Sequence, residues 1–130
     1  MYKAVTQGIE VRVEPSYMAD RSEPADSRYF WAYAVEISNG GDQTVRLLSR
    51  HWIITDGAGR REEVRGPGVV GEQPTLAPGE TYRYVSGCPL ATPSGFMAGS
   101  YGMVDEAGRR FDVAIPAFSL DAPDKPKVLN

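Results

Sequence analysis

Tyr29-Phe30-Trp31-Ala32-Tyr33-Ala34-Val35-Glu36-Ile37-Ser38-Asn39-Gly40-Gly41-Asp42 is the stretch that decides the fold. Its large apolar side chains, Tyr29, Trp31, Tyr33, Val35 and Ile37, fall on every second residue, which puts them on one face of a β-strand. The run stops at Asn39-Gly40-Gly41-Asp42, a turn signal because Asn and Gly tolerate positive φ. Upstream, beyond a polar stretch from Asp20 to Ser27, Ile9, Val11 and Val13 alternate with Glu10, Arg12 and Glu14 in the same way. Downstream, a third strand is expected over Thr44–Thr55, with Val45 and Leu47 on one side of the alternation and Leu48, Trp52 and Ile54 on the other. That pattern reads as a central strand covered on both faces.

Asp56-Gly57-Ala58-Gly59 turns the chain back toward a strand at Arg60–Arg65. Gly66–Gly79, rich in Gly and Pro, reads as a long connection with one short edge strand. Three more strands are expected at Tyr82–Val85, Met97–Val104 and Phe111–Ile115, with a hairpin turn at Glu106-Ala107-Gly108. Pro116 closes the last strand, since it has no N–H to donate. No window of ten or more residues combines helical spacing with caps at both ends. The expected fold is therefore all-β: an immunoglobulin-like or fibronectin type III-like β-sandwich of about seven to eight antiparallel strands. The missing Cys…Trp…Cys pattern favours the fibronectin-like form. Residues 1–120 form a single domain in this reading, and residues 121–130 form a flexible C-terminal tail.

Composition narrows the function classes. The 130 residues carry 17 acids against 14 bases, a formal charge of −3, so no global basic field argues for nucleic acid. One cysteine, Cys88, and one histidine, His51, give neither an internal disulfide nor a Cys/His metal cluster. Apolar runs are only a few residues long, so no membrane span is expected. Met1–Gly8 has no apolar core of signal-peptide length, and the expected location is the cytoplasm.

Gly66-Pro67-Gly68-Val69-Val70-Gly71 matches G-x-G-x-x-G. The dinucleotide reading of that motif requires a helix after it, and Pro74 and Pro78 leave no room for one. Pro67 also removes one backbone donor. A weaker form is a Gly-rich nest for a phosphate. Arg60, Arg61 and Arg65 immediately precede Gly66, Gly68 and Gly71, and Arg46 and Arg50 lie on the preceding strand, so five guanidinium groups fall within twenty residues. Arginine grips phosphate oxygens through paired N–H bonds, or an acidic peptide in the same manner. The competing reading is a solvated sheet face on which these arginines pair with Glu62 and Glu63.

His51 and Cys88 lack the flanking context of a cysteine hydrolase, and Ser86–Leu90 reads as the end of a strand with a small buried thiol. Glu62 and Glu63 are strand neighbours that point to opposite faces, which is poor placement for an acid/base couple. Asp20, Glu23 and Asp26 share a polar loop without the ligand spacing of a Ca²⁺ cage. The aromatic residues read as core and inter-sheet packing.

Longer stretches resemble a known family. Val64–Pro74, Leu76–Glu80, Tyr82–Tyr101, the closing Phe111–Phe118, the opening Gly8–Val13 and the trio Arg50-His51-Trp52 together resemble the ApaG family over nearly the whole chain. The resemblance implies a fibronectin type III-like sandwich. It also implies a small stand-alone bacterial protein linked genetically to cobalt and magnesium resistance or efflux, its gene often beside one for a diadenosine tetraphosphate hydrolase. Related domains in an F-box protein and in a DNA polymerase delta-interacting protein look like protein-binding modules, and the family has no established catalytic activity.

The expected function is thus non-catalytic and needs no cofactor. It is a protein-interaction module, indirectly tied to cobalt and magnesium resistance, with an unidentified protein partner and Arg46 and Arg50 on its interaction surface. The alternative is a site for a phosphate-bearing small molecule, pyrophosphate or a nucleotide with Mg²⁺ or Co²⁺, at Arg60, Arg61, Arg65, Gly66, Gly68 and Gly71. A monomer or a weak homodimer through an edge strand is expected.

Overall fold

The computed structural model describes residues 1–123. Among these residues, nine strands form two antiparallel sheets: β1 (Tyr2–Thr6), β2 (Ile9–Tyr17), β3 (Tyr29–Asn39), β4 (Val45–Asp56), β5 (Arg61–Pro67), β6 (Thr75–Leu76), β7 (Thr81–Leu90), β8 (Ser94–Asp105) and β9 (Arg110–Asp121). The first sheet has the order β1-β2-β3-β7, and the second the order β5-β4-β8-β9, with the two-residue β6 paired to one end of β4. Among the described residues, helix is confined to two short 3-10 turns, Ala19–Arg21 and Pro24–Asp26. The molecule is an all-β sandwich, as the alternation in β2 and β3 dictates. Among the described residues, no helix is long and apolar enough to cross a membrane.

The inward face of β3, centred on Trp31, Tyr33, Val35 and Ile37, is buried against Leu47 and Trp52 of β4, Tyr101 and Met103 of β8, and Phe118 and Leu120 of β9. Trp52 is the hub of the aromatic core. Its ring meets Tyr33 at 5.3 Å, Phe118 at 6.0 Å and Tyr101 at 6.5 Å, each edge-on, the arrangement the ring quadrupole favours.

Several expectations need correction. β1 was not anticipated, because Tyr2, Ala4 and Thr6 are only half-buried and alternate weakly. The apolar residues on both sides of the β4 alternation do not mean coverage on both faces. An extra β4 residue between Leu47 and Ser49 bulges out of the pairing with β8 and reverses the phase, so Val45 and Leu47 face inward before it and Arg50, Trp52 and Ile54 after it. Pro116 does not end the last strand. β9 bulges between Ile115 and Phe118 and continues to Asp121, so the missing N–H of Pro116 falls where the ladder is already interrupted. Strand structure thus extends one residue past the expected 120/121 boundary, and residues 124–130 of the expected tail lie outside the described residues. Nor does Asn39 adopt positive φ. It is buried and works through its side chain, donating to the Gln43 and Leu76 carbonyls (2.8 and 2.9 Å) and accepting from the Gly41 N–H (3.0 Å).

Candidate functional site

The two long sides of the sandwich end differently, and the difference creates a cleft. β1 lies against β9 on one side. On the other, β7 and β5 are the edge strands of their sheets and stand apart across a cavity of about 370 Å³. Register decides what enters it. Arg50 opposes Gly66, Trp52 opposes Val64, and Ile54 opposes Glu62 across the β4–β5 ladder, and these pairs face the cleft. Tyr33 of β3, Tyr84 and Cys88 of β7 and Met97 of β8 complete the walls. The residues between them, Ser49, His51, Glu63 and Arg65, point to the outer face of the sheet.

The five arginines are therefore not one cluster. Arg50 alone enters the cleft, where its Nη1 donates to the carbonyls of Pro67 (2.9 Å) and Gly68 (3.0 Å). Arg61 and Arg65 flank Glu63 on the outer face, at 3.7 and 3.5 Å, and His51 Nε2 lies 3.1 Å from the same carboxylate. The His51 hydrogen bond, helped by the charges of Arg65 and Arg61, holds Glu63 below the usual carboxylate range. Arg46 donates to the Gln73 carbonyl (3.2 Å) and reaches its side-chain oxygen (3.4 Å), pinning the far end of the Gly-rich connection. Arg60, just before the start of β5, lines a separate depression with Asp56, Arg61, Glu62, Pro89 and Leu90.

The Gly-rich loop folds around Arg50. The guanidinium lies over Gly66, where a Cβ would meet it at 2.9–3.0 Å. Gly68 has φ +60°, and a Cβ there would fall on the Glu72 carbonyl oxygen. Val69 and Glu72 exchange both backbone hydrogen bonds (2.8 and 2.9 Å), closing a two-residue hairpin. Its tip residues, Val70 and Gly71, have φ of 43° and 80°, the mirror-image turn that suits Asn-Gly. The Gly68 N–H is bonded to the Leu48 carbonyl (2.8 Å). Three amides that a phosphate nest would use, those of Gly68, Val69 and Glu72, are thus engaged within the protein, and the loop turns carbonyls toward its nearest cation.

Val70 is the anomaly. Valine is stiff at χ1 and ill suited to the left-handed region, yet here it occupies that region with its side chain 60% exposed at the mouth of the cleft. Strain of this kind costs about 1–3 kcal/mol and persists only where the surrounding structure enforces it.

The buried thiol and phenols of the cleft stay protonated at ordinary pH. Burial, with a smaller push from the Glu62 charge, raises the Cys88 thiol to about 11, so it stays protonated and is a weak nucleophile. Burial also raises Tyr33, Tyr84 and Tyr101, and the Tyr84 and Tyr101 hydroxyls hydrogen-bond to each other at the cleft floor. His51 and Cys88 do not meet: His51 is on the outer face of the second sheet, and Cys88 lies on β7 of the first sheet, facing the cleft. Asp20, Glu23 and Asp26 sit in and between the 3-10 turns, and no group of three metal-ligating side chains gathers among the described residues.

Two neighbouring surfaces complete the picture. On the outer face of the first sheet, Phe30 pairs with Pro89, Ala32 with Gly87 and Ala34 with the exposed Val85, an apolar stripe running along the β7 edge. The Phe30 ring covers Gly87, where any Cβ would strike it. On the outer face of the second sheet, Ser49, His51, Arg65, Ser100 and Asp112 line a shallow polar depression of about 350 Å³, which Arg50 and Gly66 also reach. The residues that the sequence left unremarked as a site are Trp52, Glu62, Val64, Tyr84 and Val70. For Trp52, and through the ladder for Val64 and Glu62, the signal was the inward parity of β4 beyond its bulge; Tyr84 and Val70 had none.

The fold and site together define a two-sheet β-sandwich left open along one side, with a mixed apolar and charged cleft between its unpaired edges. A family model described as ApaG domain matches residues 19–105, and the chain belongs to that family. It is 62% identical over 130 residues to "Protein ApaG" of Bradyrhizobium sp. (strain ORS 278), covering the whole of both chains, and 60% identical over the same length to that of Mesorhizobium japonicum. The crystal structure of a protein described as the putative ApaA protein from Bordetella pertussis superposes with a TM-score of 0.87 at 51% identity, covering 90% of this chain and 95% of that one. The C-terminal domain of wzt shares the fold at 10% identity and a TM-score of 0.54.

Proposed function

We propose that this ApaG domain is a non-catalytic protein-recognition module whose docking surface is the open side of the sandwich: the cleft, its two edge strands and the apolar stripe beside β7. The observation that carries this reading is the unclosed β5/β7 side, where exposed Val70 stands at the mouth of a preformed cavity and exposed Val85 lies on the outer face of the β7 edge. Concave, mostly apolar sites with a few placed polar groups are the usual form of recognition clefts, and exposed apolar patches beside sheet edges are sites of association. Any influence on cobalt or magnesium handling then passes through the partner.

Photo-crosslinking residues placed in cells at Val70, Val85 and Val5 test the proposal. Val5 is as exposed as the other two but lies on β1, at the closed side. Adducts from Val70 and Val85 and none from Val5 are expected. Equal adducts from all three positions, or none from the open side, overturn it.

A second reading moves the phosphate-bearing ligand from the Gly-rich loop to the outer face of the second sheet, favoured by the convergence of Arg65, His51, Ser49 and Ser100 on the polar depression. Addition of pyrophosphate, ATP or GTP, each with and without Mg²⁺ or Co²⁺, should then shift the amides of those four residues saturably. Flat spectra at millimolar ligand remove this reading.

A further inference from the structure

The open side has a chemical direction, and the direction specifies an occupant. Along the β4–β5 ladder the cleft presents a cation at Arg50, an apolar middle at Trp52 and Val64, and an anion at Glu62, beyond which Arg60 and Arg61 line an adjoining depression. Arg50 uses one terminal nitrogen for both loop carbonyls, and it forms no ion pair among the described residues. Glu62 likewise has no hydrogen-bond or ion-pair partner among them. Both charges are felt inside the cleft: Arg50 acts on Tyr33 and Tyr84, and Glu62 acts on Cys88. The register positions of Arg50 and Glu62 lie four residues apart, about 13 Å along a strand.

A segment of extended backbone has the same period. Side chains at its first, third and fifth positions leave on one face and span that distance, while its own N–H and C=O groups meet the unpaired edge of β5 or β7. Resting on the recognition reading above, we propose that the cleft takes an extended peptide segment with an acidic side chain, an apolar side chain two residues on, and a basic side chain two residues beyond that. The acid faces Arg50, the apolar residue fills the space between Trp52, Val64 and Tyr84, and the base faces Glu62. A nucleotide fits this site poorly, because Glu62 repels its phosphates. A neutral apolar molecule leaves both charges unanswered.

The test uses the full chain, isotope-labelled, and three capped peptides: Thr-Glu-Thr-Leu-Thr-Lys-Thr and its doubly acidic and doubly basic counterparts. The mixed-charge peptide should shift the Trp52 indole and the Val64 and Cys88 amides saturably, and bind about threefold tighter than either counterpart, the scale of one exposed ion pair. Replacing its Leu by Ser should abolish the shifts. In Glu62→Lys, a change at an exposed residue without partners, the preference should move to the doubly acidic peptide. If all three peptides bind alike, or Glu62→Lys leaves their order unchanged, the charge code is wrong while the cleft remains a docking site. If no peptide moves the cleft resonances, the code is overturned and the choice of cleft falls with it.

Discussion

Along the β1/β9 side the two sheets are stitched together, whereas along the β5/β7 side they are held apart. On the first side the Tyr2 ring lies 6.0 Å from Phe118, and the Thr6 hydroxyl accepts from the Ala114 N–H (3.1 Å). The Tyr2 hydroxyl accepts from the Ser119 N–H (3.4 Å). The second side carries charge and proline instead: Arg61, Glu62, Glu63 and Arg65 on β5, Arg83 and Pro89 on β7. A sandwich must keep its edges from pairing indiscriminately. Cross-sheet bonding does so by occupying the backbone, and it leaves no site. Charge and proline do so by raising the threshold for association, and they leave a surface that a matched partner can still use.

Truncations to alanine on the two sides sharpen that contrast. Phe118 is buried among Tyr2, Tyr33 and Trp52. Phe118→Ala should cost about 3–5 kcal/mol, because the surrounding rings cannot collapse into the space. Val64 borders an existing cavity, so Val64→Ala should cost about 1 kcal/mol and act mainly on partner binding. Urea unfolding of both variants measures the difference. Similar costs would mean that the open side is as tightly packed as the closed one.

The Gly-rich loop allows a finer cut. Gly68 and Gly71 both have positive φ, but only Gly68 has a backbone oxygen where a Cβ would sit, and Gly71 faces open space. Gly71→Ala should cost about 1 kcal/mol through backbone conformation alone. Gly68→Ala must also displace the Glu72 carbonyl, and should cost about 2–3 kcal/mol and loosen the wall of the cleft. Thermal melts and the amide shifts of Val69 and Glu72 report both effects. Equal losses would show that the Val69–Glu72 hairpin yields freely and does not brace the cleft.

How much of this was legible beforehand depended on whether the signal was local. The alternation of β2 and β3 announces a half-buried sheet without outside help, and Cys88 reads correctly as a small buried thiol. The two bulges are a different matter. Each inserts one residue, inverts the side-chain phase and leaves no local mark, so β4 read as covered on both faces and β9 as ending at Pro116. The arginines divide between faces for the same reason. Closeness in sequence grouped Arg50 with Arg61 and Arg65, but strand parity beyond the bulge sends Arg50 inward and the others outward. The cleft itself exists only because β5 and β7 are both sheet edges and face each other, a relation between distant segments that no window of sequence contains. Glu62 and Glu63 were separable, since neighbours on one strand must diverge whatever the topology.

Cys88 offers a comparison by pH. Its folded value of about 11 lies above the ordinary 9.0, so the folded chain holds the proton through a range where the unfolded chain has lost it. Its contribution is complete below the unfolded value and fades as pH climbs from about 9 toward 11. Between about pH 8 and about pH 10 the domain should lose about 1 kcal/mol from this group, read as a lower urea midpoint. Cys88→Ala should start less stable yet change less over the same range. An unchanged slope would place Cys88 in contact with water and the cleft wall in a looser state.

The smallest expected effect bears most directly on why the open side is open. Val70 occupies a left-handed conformation that Asn would adopt with little strain, and Asn-Gly is the preferred pair for this hairpin tip. If stability alone had shaped the loop, valine would be a poor choice, because its exposed side chain gains little from burial. Val70→Asn should therefore stabilise the domain by about 0.5–1 kcal/mol, a rise of a few degrees in Tm. The same substitution removes an apolar contact at the mouth of the cleft and should weaken partner capture from that position. A rise in Tm with undiminished capture would assign the strain to the loop's own construction. A rise with reduced capture would show that the strained valine is retained for what it touches in a partner, a trade of stability for recognition that is confined to one side of the sandwich.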